Sequence, residues 1–163
     1  MTPLELAARS AIMGIAGSAA IDAWAFFLRR TFHISSLDYR LLGRWVGHFR
    51  SGIFFHARIA SAAAVPGERL LGWLAHYGIG VAFAAVLLLA AGTGWANSPS
   101  LWPALAVGLG TVLAPWLVMQ PAFGAGIAGS KAPRPWVGRL RNLGTHTVYG
   151  VGLYVSALGL AAL

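Results

Sequence analysis

The chain contains no cysteine, which excludes disulfides and thiolate-held metals. Charge is scarce as well. Charged residues make up 10% of the chain, against about 25% in an average soluble domain. Acids are the rarest, four Asp and Glu against twelve Lys and Arg. From Leu70 to Ser130 there is no Asp, Glu, Lys or Arg, and from Asn142 to Leu163 there is again none. A soluble fold of 163 residues can hardly keep such stretches in water. Apolar residues fill the space instead, at 58% of the chain.

The formal net charge of +8 would suggest nucleic acid in a soluble protein. Here the basic residues fall between apolar stretches, so they read as facing anionic lipid, with no nucleic-acid partner. The cations are almost all Arg, and Ala and Gly abound, as in proteins from GC-rich bacterial genomes. At the N-terminus, Glu5 and a lone Arg9 precede the apolar run and Asp22 interrupts it. A secretory signal has a positive start and a clean apolar centre, so a retained membrane helix is the better reading.

A bilayer-crossing helix needs about 20 mostly apolar residues. Four segments are expected to qualify: 6–28, 70–92, 102–123 and 142–163. The whole chain, 1–163, then reads as one transmembrane domain, with connections 29–69 and 124–141. Pro99 and Pro103 with Asn97 mark one short turn, and Pro133 and Pro135 mark the last connection. Cations gather in the first connection (Arg29, Arg30, Arg40, Arg44, Arg50, Arg58, Arg69) and in the last (Lys131, Arg134, Arg139, Arg141). The turn after the second span and the C-terminus have none. Cytoplasmic loops carry the excess of Lys and Arg, so both termini are expected in the periplasm of a bacterial inner membrane.

The first connection has helical periodicity. Leu37, Leu41, Leu42, Trp45, Val46 and Phe49 share a side, and Arg40, Arg44 and His48 another. That predicts an amphipathic helix, either on the inner membrane surface or packed on the ends of the bundle. Ser35 or Ser36 is expected to cap it. Glu68, after Val65-Pro66-Gly67, suits the start of the next helix. A faint repeat sets His76-Tyr77-Gly78-Ile79-Gly80 beside His146-Thr147-Val148-Tyr149-Gly150, and Trp24 beside Trp116, as in transporters with parallel repeats.

Ionisable groups inside a span are costly and are functional candidates by default. Asp22 lies seven residues before Arg29, His76 seven after Arg69 and His146 five after Arg141. At 1.5 Å per residue each sits roughly 7–11 Å inside the cytoplasmic end of its helix. Gln120, near the inner end of the third span, and Tyr77 join this layer as candidates to bind a proton or ligand. The competing reading is a set of packing hydrogen bonds. Gly14, Ser18 and Asp22, four apart, form a small-residue stripe for close helix packing. Gly80 and Gly150 each lie four residues beyond a His, leaving room for a ligand or another helix. For a metal the candidates are His76 and His146, or His48, His56 and Glu68 at the surface.

Other motifs fail on context. Gly124-Ala125-Gly126-Ile127-Ala128-Gly129 matches GxGxxG but follows a membrane helix, with no acid after it. Ser130-Lys131 reverses the P-loop order, which leaves only an anion-binding turn with Lys131 and Arg134. There is no HExxH or GxSxG, so the reading leans away from an enzyme and names no cofactor.

Several elements are familiar in combination: Gly43-Arg44-Trp45-Val46-Gly47-His48; Pro66-Gly67-Glu68-Arg69 with Gly72-Trp73 and His76-Tyr77; Met119-Gln120-Pro121 with Gly124-Ala125-Gly126; and His146-Thr147 with Gly150-Val151-Gly152-Leu153-Tyr154. Together they resemble a bacterial family known as domain of unknown function 2938, over nearly the whole chain. The resemblance implies a small multi-pass inner-membrane protein and supplies no reaction or ligand. The expected fold is therefore all-α, an integral membrane four-helix bundle with a cytoplasmic amphipathic helix between spans one and two. Three functions stay open: a protein binding or transporting a proton, ion or small solute at the Asp/His layer; a haem or metal redox protein using His76 and His146; and a structural or assembly factor. Self-association into a homo-oligomer is also left open.

Overall fold

The computed structural model describes residues 1–162. Those residues form helices and turns with no strand among them. Helix α1 runs Pro3–Phe32. The Thr2 hydroxyl caps it by accepting from the Glu5 N–H at 3.1 Å, and Pro3 costs nothing at a position whose N–H has no helical partner. Glu5 in its first turn and Arg29 and Arg30 in its last suit the helix dipole. Helix α2 is Tyr39–His48 and helix α3 is Glu68–Asn97. Gly92 sits inside α3 at φ 76°, which bends it where a side chain would be strained.

Helix α4, Leu101–Gly110, leads into a π-helical turn at Pro115–Met119 and a short α5, Gln120–Ala122. Pro115 has no N–H to offer the turn before it, and the Gln120 N–H reaches back five residues to the Pro115 carbonyl. Helix α6, Pro135–Ala161, starts on a proline. By length and composition three segments among the described residues can cross a membrane: Pro3–Phe32, Glu68–Asn97 and Leu101–Ala122. Of the expected span 142–163, residues 142–161 lie in the 27-residue α6, which is not one of these three, and Leu163 lies outside the described residues.

The chain divides into two compact units. The first comprises Met1–Ser35, Tyr77–Thr111 and Gly144–Leu163. Its core holds Met13, Leu87, Leu88 and Leu153 with the small Ala84 and Ala104. Glycine sets its helix crossings. A Cβ on Gly14 would strike the Val81 backbone, one on Gly80 the Ser18 hydroxyl, and one on Gly108 the Gly150 backbone. The stripe Gly14–Ser18 is therefore a helix-packing surface, as expected. The room beside Gly80 and Gly150 is filled by neighbouring helices.

The second unit comprises Ser36–His76 and Val112–Leu143, around a core of Leu42, Ile59, Ala122 and Phe123. The expected amphipathic helix is α2, but its polar residues are used differently. Asp38, not Ser35 or Ser36, caps it, accepting from the Arg40 N–H at 3.0 Å. An aspartate directly before the first helical residue reaches that N–H, whereas the serines lie too far upstream. Gly43 and Gly72 bring α2 and α3 backbone to backbone. A Cβ on Gly43 would meet the Glu68 carbonyl, and one on Gly72 the Tyr39 carbonyl.

Arg44 turns inward rather than toward lipid. Its guanidinium grips both Glu68 oxygens at 2.9 Å and donates to the carbonyls of Ile59, Ala60 and Ala62 at 3.1–3.3 Å. Both side chains of the pair are only 14% exposed. One turn on, His48 Nε2 bonds the Ala63 carbonyl at 3.0 Å. The polar face of α2 thus clasps the segment 59–63 through its carbonyls. Hydrogen bonding to Glu68 raises the Arg44 guanidinium further above its ordinary value. The Arg40 guanidinium likewise holds the Asp38 carboxyl below the usual carboxylate range.

Candidate functional site

Asp22 lies on α1, one turn beyond Ser18 on the face that meets α3. It accepts a hydrogen bond from the Tyr77 hydroxyl at 2.8 Å. Both side chains are partly buried. An acid in an apolar helix therefore receives a hydroxyl donor from a second helix, and an ionisable group so placed is a candidate to bind a proton or cation.

His146 belongs to the same unit. Its Nδ1 lies 2.7 Å from the Thr111 hydroxyl, which itself donates to the Gly108 carbonyl at 2.5 Å. One hydroxyl has one proton to give. His146 Nδ1 must therefore carry its own proton and donate to Thr111, so the neutral ring presents the Nε2 lone pair. Three residues on, Tyr149 is 3% exposed and donates to the Gly80 carbonyl at 2.6 Å. Its oxygen is satisfied by backbone, and it ties α6 to α3.

The remaining candidates fall in the second unit. His76 stacks on Tyr39 with ring centres 4.3 Å apart, and its Nε2 lies 3.2 Å from the Tyr39 hydroxyl. Trp73 meets the Tyr39 ring edge-on at 4.8 Å. Gln120 belongs to an amide cluster beside the π-helical turn. The Asn142 amide, oriented to satisfy both its ends, accepts from Gln120 Nε2 at 2.8 Å and from Trp116 Nε1 at 3.0 Å, and donates to the Gly138 carbonyl at 3.2 Å. Among the described residues Gln120 Oε1 is buried with no hydrogen-bond partner.

Of the surface metal candidates, His48 and His56 meet, Nδ1 to Nε2, at 2.7 Å, while Glu68 is held by Arg44. The bond from His48 Nε2 to a carbonyl requires its proton there, and a neutral His48 ring then accepts at Nδ1 from His56 Nε2. Among the described residues no group of three or more His, Asp or Glu is placed to hold a metal ion. In the loop after α5, Arg139 Nε donates to the carbonyl of Ala128, a non-glycine residue at φ 48°.

The candidates thus divide: Asp22, Tyr77 and His146 in one unit, His76 and Gln120 in the other. Reading by ionisable type missed Thr111, Tyr39, Trp116 and Asn142. Each is a neutral polar group in or beside an apolar helix, and a rule that buried hydroxyls, indoles and amides seek partners would have found them.

No curated protein and no solved structure matches this chain. A protein family does match, from residue 11 to residue 160, and on that extent the chain belongs to the DUF2938 family, described as protein of unknown function.

Proposed function

We propose that this chain is a multi-pass protein of a bacterial inner membrane that takes up and releases a proton or small cation at Asp22. The single observation that carries the reading is the 2.8 Å bond from Tyr77 to Asp22. It joins two of the three membrane-length helices, and Asp22 is the only acid inside the apolar stretches. A carboxylate is expensive at such a place and is retained where it has work to do. Tyr77 positions it. His146, fixed in one tautomer by Thr111, is a further titratable group of the same unit and offers its Nε2 lone pair.

In this reading α6 supplies a fourth span and both termini face the periplasm, with connections 29–69 and 124–141 in the cytoplasm. The cation distribution supports that orientation. Reporters fused after Ser98 and after Leu163 then act as periplasmic; cytoplasmic signals at both places contradict it. For the function itself, the protein is placed in liposomes holding a pH-sensitive dye, and a pH difference is imposed. The parent is expected to dissipate the difference faster than Asp22→Asn; equal rates contradict proton transfer through Asp22.

One alternative has its own support. The glycine crossings at Gly14, Gly80, Gly108 and Gly150, with Tyr149 satisfied by the Gly80 carbonyl, are what a structural or assembly factor needs. It predicts that Asp22 is replaceable by any hydrogen-bond acceptor of the same shape.

A further inference from the structure

We propose that the loop from Phe49 to Arg58 is an interfacial anchor. Phe54 and Phe55 enter the headgroup–acyl boundary of an anionic leaflet, and Arg50 and Arg58 hold its lipid phosphates. The proposal rests on the reading that the chain spans a membrane, and adds which part of it grips the lipid surface.

The loop is built to hold apolar side chains outward. Gly52, at φ 70°, turns the chain after Phe49–Ser51. Ile53, Phe54 and Phe55 follow, 45%, 50% and 73% exposed. Three adjacent large apolar residues left in water are a standing cost, in proportion to the apolar area they expose. They are not there through looseness. Trp45 Nε1 donates to the Phe54 carbonyl at 2.8 Å. Phe49 packs between Trp45 and Phe54, with ring centres 4.9 Å and 5.1 Å away.

The depth of the loop is fixed as well. The His56 N–H donates to the Ala122 carbonyl at 2.8 Å, and the Ile59 N–H to the Phe123 carbonyl at 3.1 Å. Ala122 is the last residue of the membrane-length segment Leu101–Ala122. Gly124 leaves the loop room to approach, since a Cβ there would strike the Ala57 carbonyl. A loop stitched to the end of a span lies where the span meets the headgroups, the level at which amphipathic aromatic belts form.

Charge selects the occupant. Arg40 is neutralised by Asp38 and Arg44 by Glu68. Arg50 and Arg58 are exposed and join no ion pair among the described residues. An exposed aromatic pair flanked by two uncompensated guanidiniums is complementary to an anionic bilayer surface.

The absence of native cysteine makes the test direct. Phe55→Cys in the full chain carries a nitroxide label in nanodiscs of phosphatidylcholine, with or without phosphatidylglycerol. Ser61→Cys, exposed in the same connection, is the reference. The label at position 55 is expected to collide with oxygen in preference to a water-soluble nickel chelate, and the label at 61 the reverse. Phosphatidylglycerol should reduce chelate access at 55 by about twofold or more, and the double change Arg50→Gln with Arg58→Gln should abolish that reduction.

A label at 55 as open to the chelate as that at 61 overturns the proposal. So does one shielded from both reagents, which would mean that protein, such as a second copy, covers the loop. Depth indifferent to phosphatidylglycerol overturns the assignment of the arginines. If the label at 55 disturbs the fold, Ile53→Cys reads the same loop. A topology opposite to the one proposed leaves the depth result intact and changes only the leaflet, so the two failures are distinguishable.

Discussion

The Tyr77 hydroxyl donates to Asp22 Oδ2 across 2.8 Å, so α3 holds the one acid that α1 carries inside its apolar stretch. Removing that donor while keeping the ring isolates its contribution. Tyr77→Phe is expected to lower stability in detergent by about 1.5–3 kcal/mol, the usual size for a hydrogen bond to a charged group. A thermal melt checks it, and a melting temperature equal to the parent's contradicts the positioning role of Tyr77.

Glycine is required where backbones touch and dispensable where nothing approaches. Gly43→Ala would drive a methyl into the Glu68 carbonyl, whereas a Cβ on Gly78 meets nothing within 4 Å. The first is expected to destabilise by about 2–3 kcal/mol through overpacking. The second should be neutral, or stabilise by up to about 1 kcal/mol through helix propensity. Melting temperatures of the two variants in one detergent decide it, and equal losses would refute the α2–α3 crossing.

The clasp made by Arg44 is directional. Arg44→Ala leaves Glu68 unpaired and strips a donor from the carbonyls of Ile59, Ala60 and Ala62. Loss of about 3 kcal/mol is expected, near the lower end for breaking a buried pair because the site is partly exposed. Changing both partners, Arg44→Met with Glu68→Met, should cost less than Arg44→Ala alone, since no uncompensated charge remains. Thermal or denaturant unfolding of both variants measures the difference. A double variant worse than the single would contradict a clasp whose main cost lies in the orphaned carboxylate.

Much of this was legible in the sequence because its causes are local. The charge-free stretches announce apolar helices, the prolines their ends, and the four-residue spacing of Gly14, Ser18 and Asp22 a packing face. The periodicity of α2 could be read from its apolar side, but the use of its polar side could not. Whether Arg44 meets lipid or Glu68 depends on a fold that brings residues 24 positions apart together. Asp22 and His146 could be singled out because ionisable groups in apolar helices are rare. Their partners Tyr77 and Thr111 come from other helices, and spacing along one helix says nothing about who stands opposite. Gln120 shows the same limit: its neighbour Asn142 lies at the start of an apolar stretch and reads as a boundary residue, yet its amide completes the cluster.

The central claim is that Asp22 titrates in use rather than only accepting a packing hydrogen bond, and Asp22→Asn separates the two most directly. Asn keeps the shape and can still accept from Tyr77, but it cannot gain or lose a proton near neutrality. The measurement is the melting temperature in detergent as a function of pH for the parent, Asp22→Asn and Asp22→Leu, the last of which leaves the Tyr77 hydroxyl without its partner. The account predicts that Asn melts near the parent at one pH while the parent's pH response is lost. An Asp22→Asn protein that keeps the parental pH response, with only Leu damaging, would contradict it and leave Asp22 a packing residue.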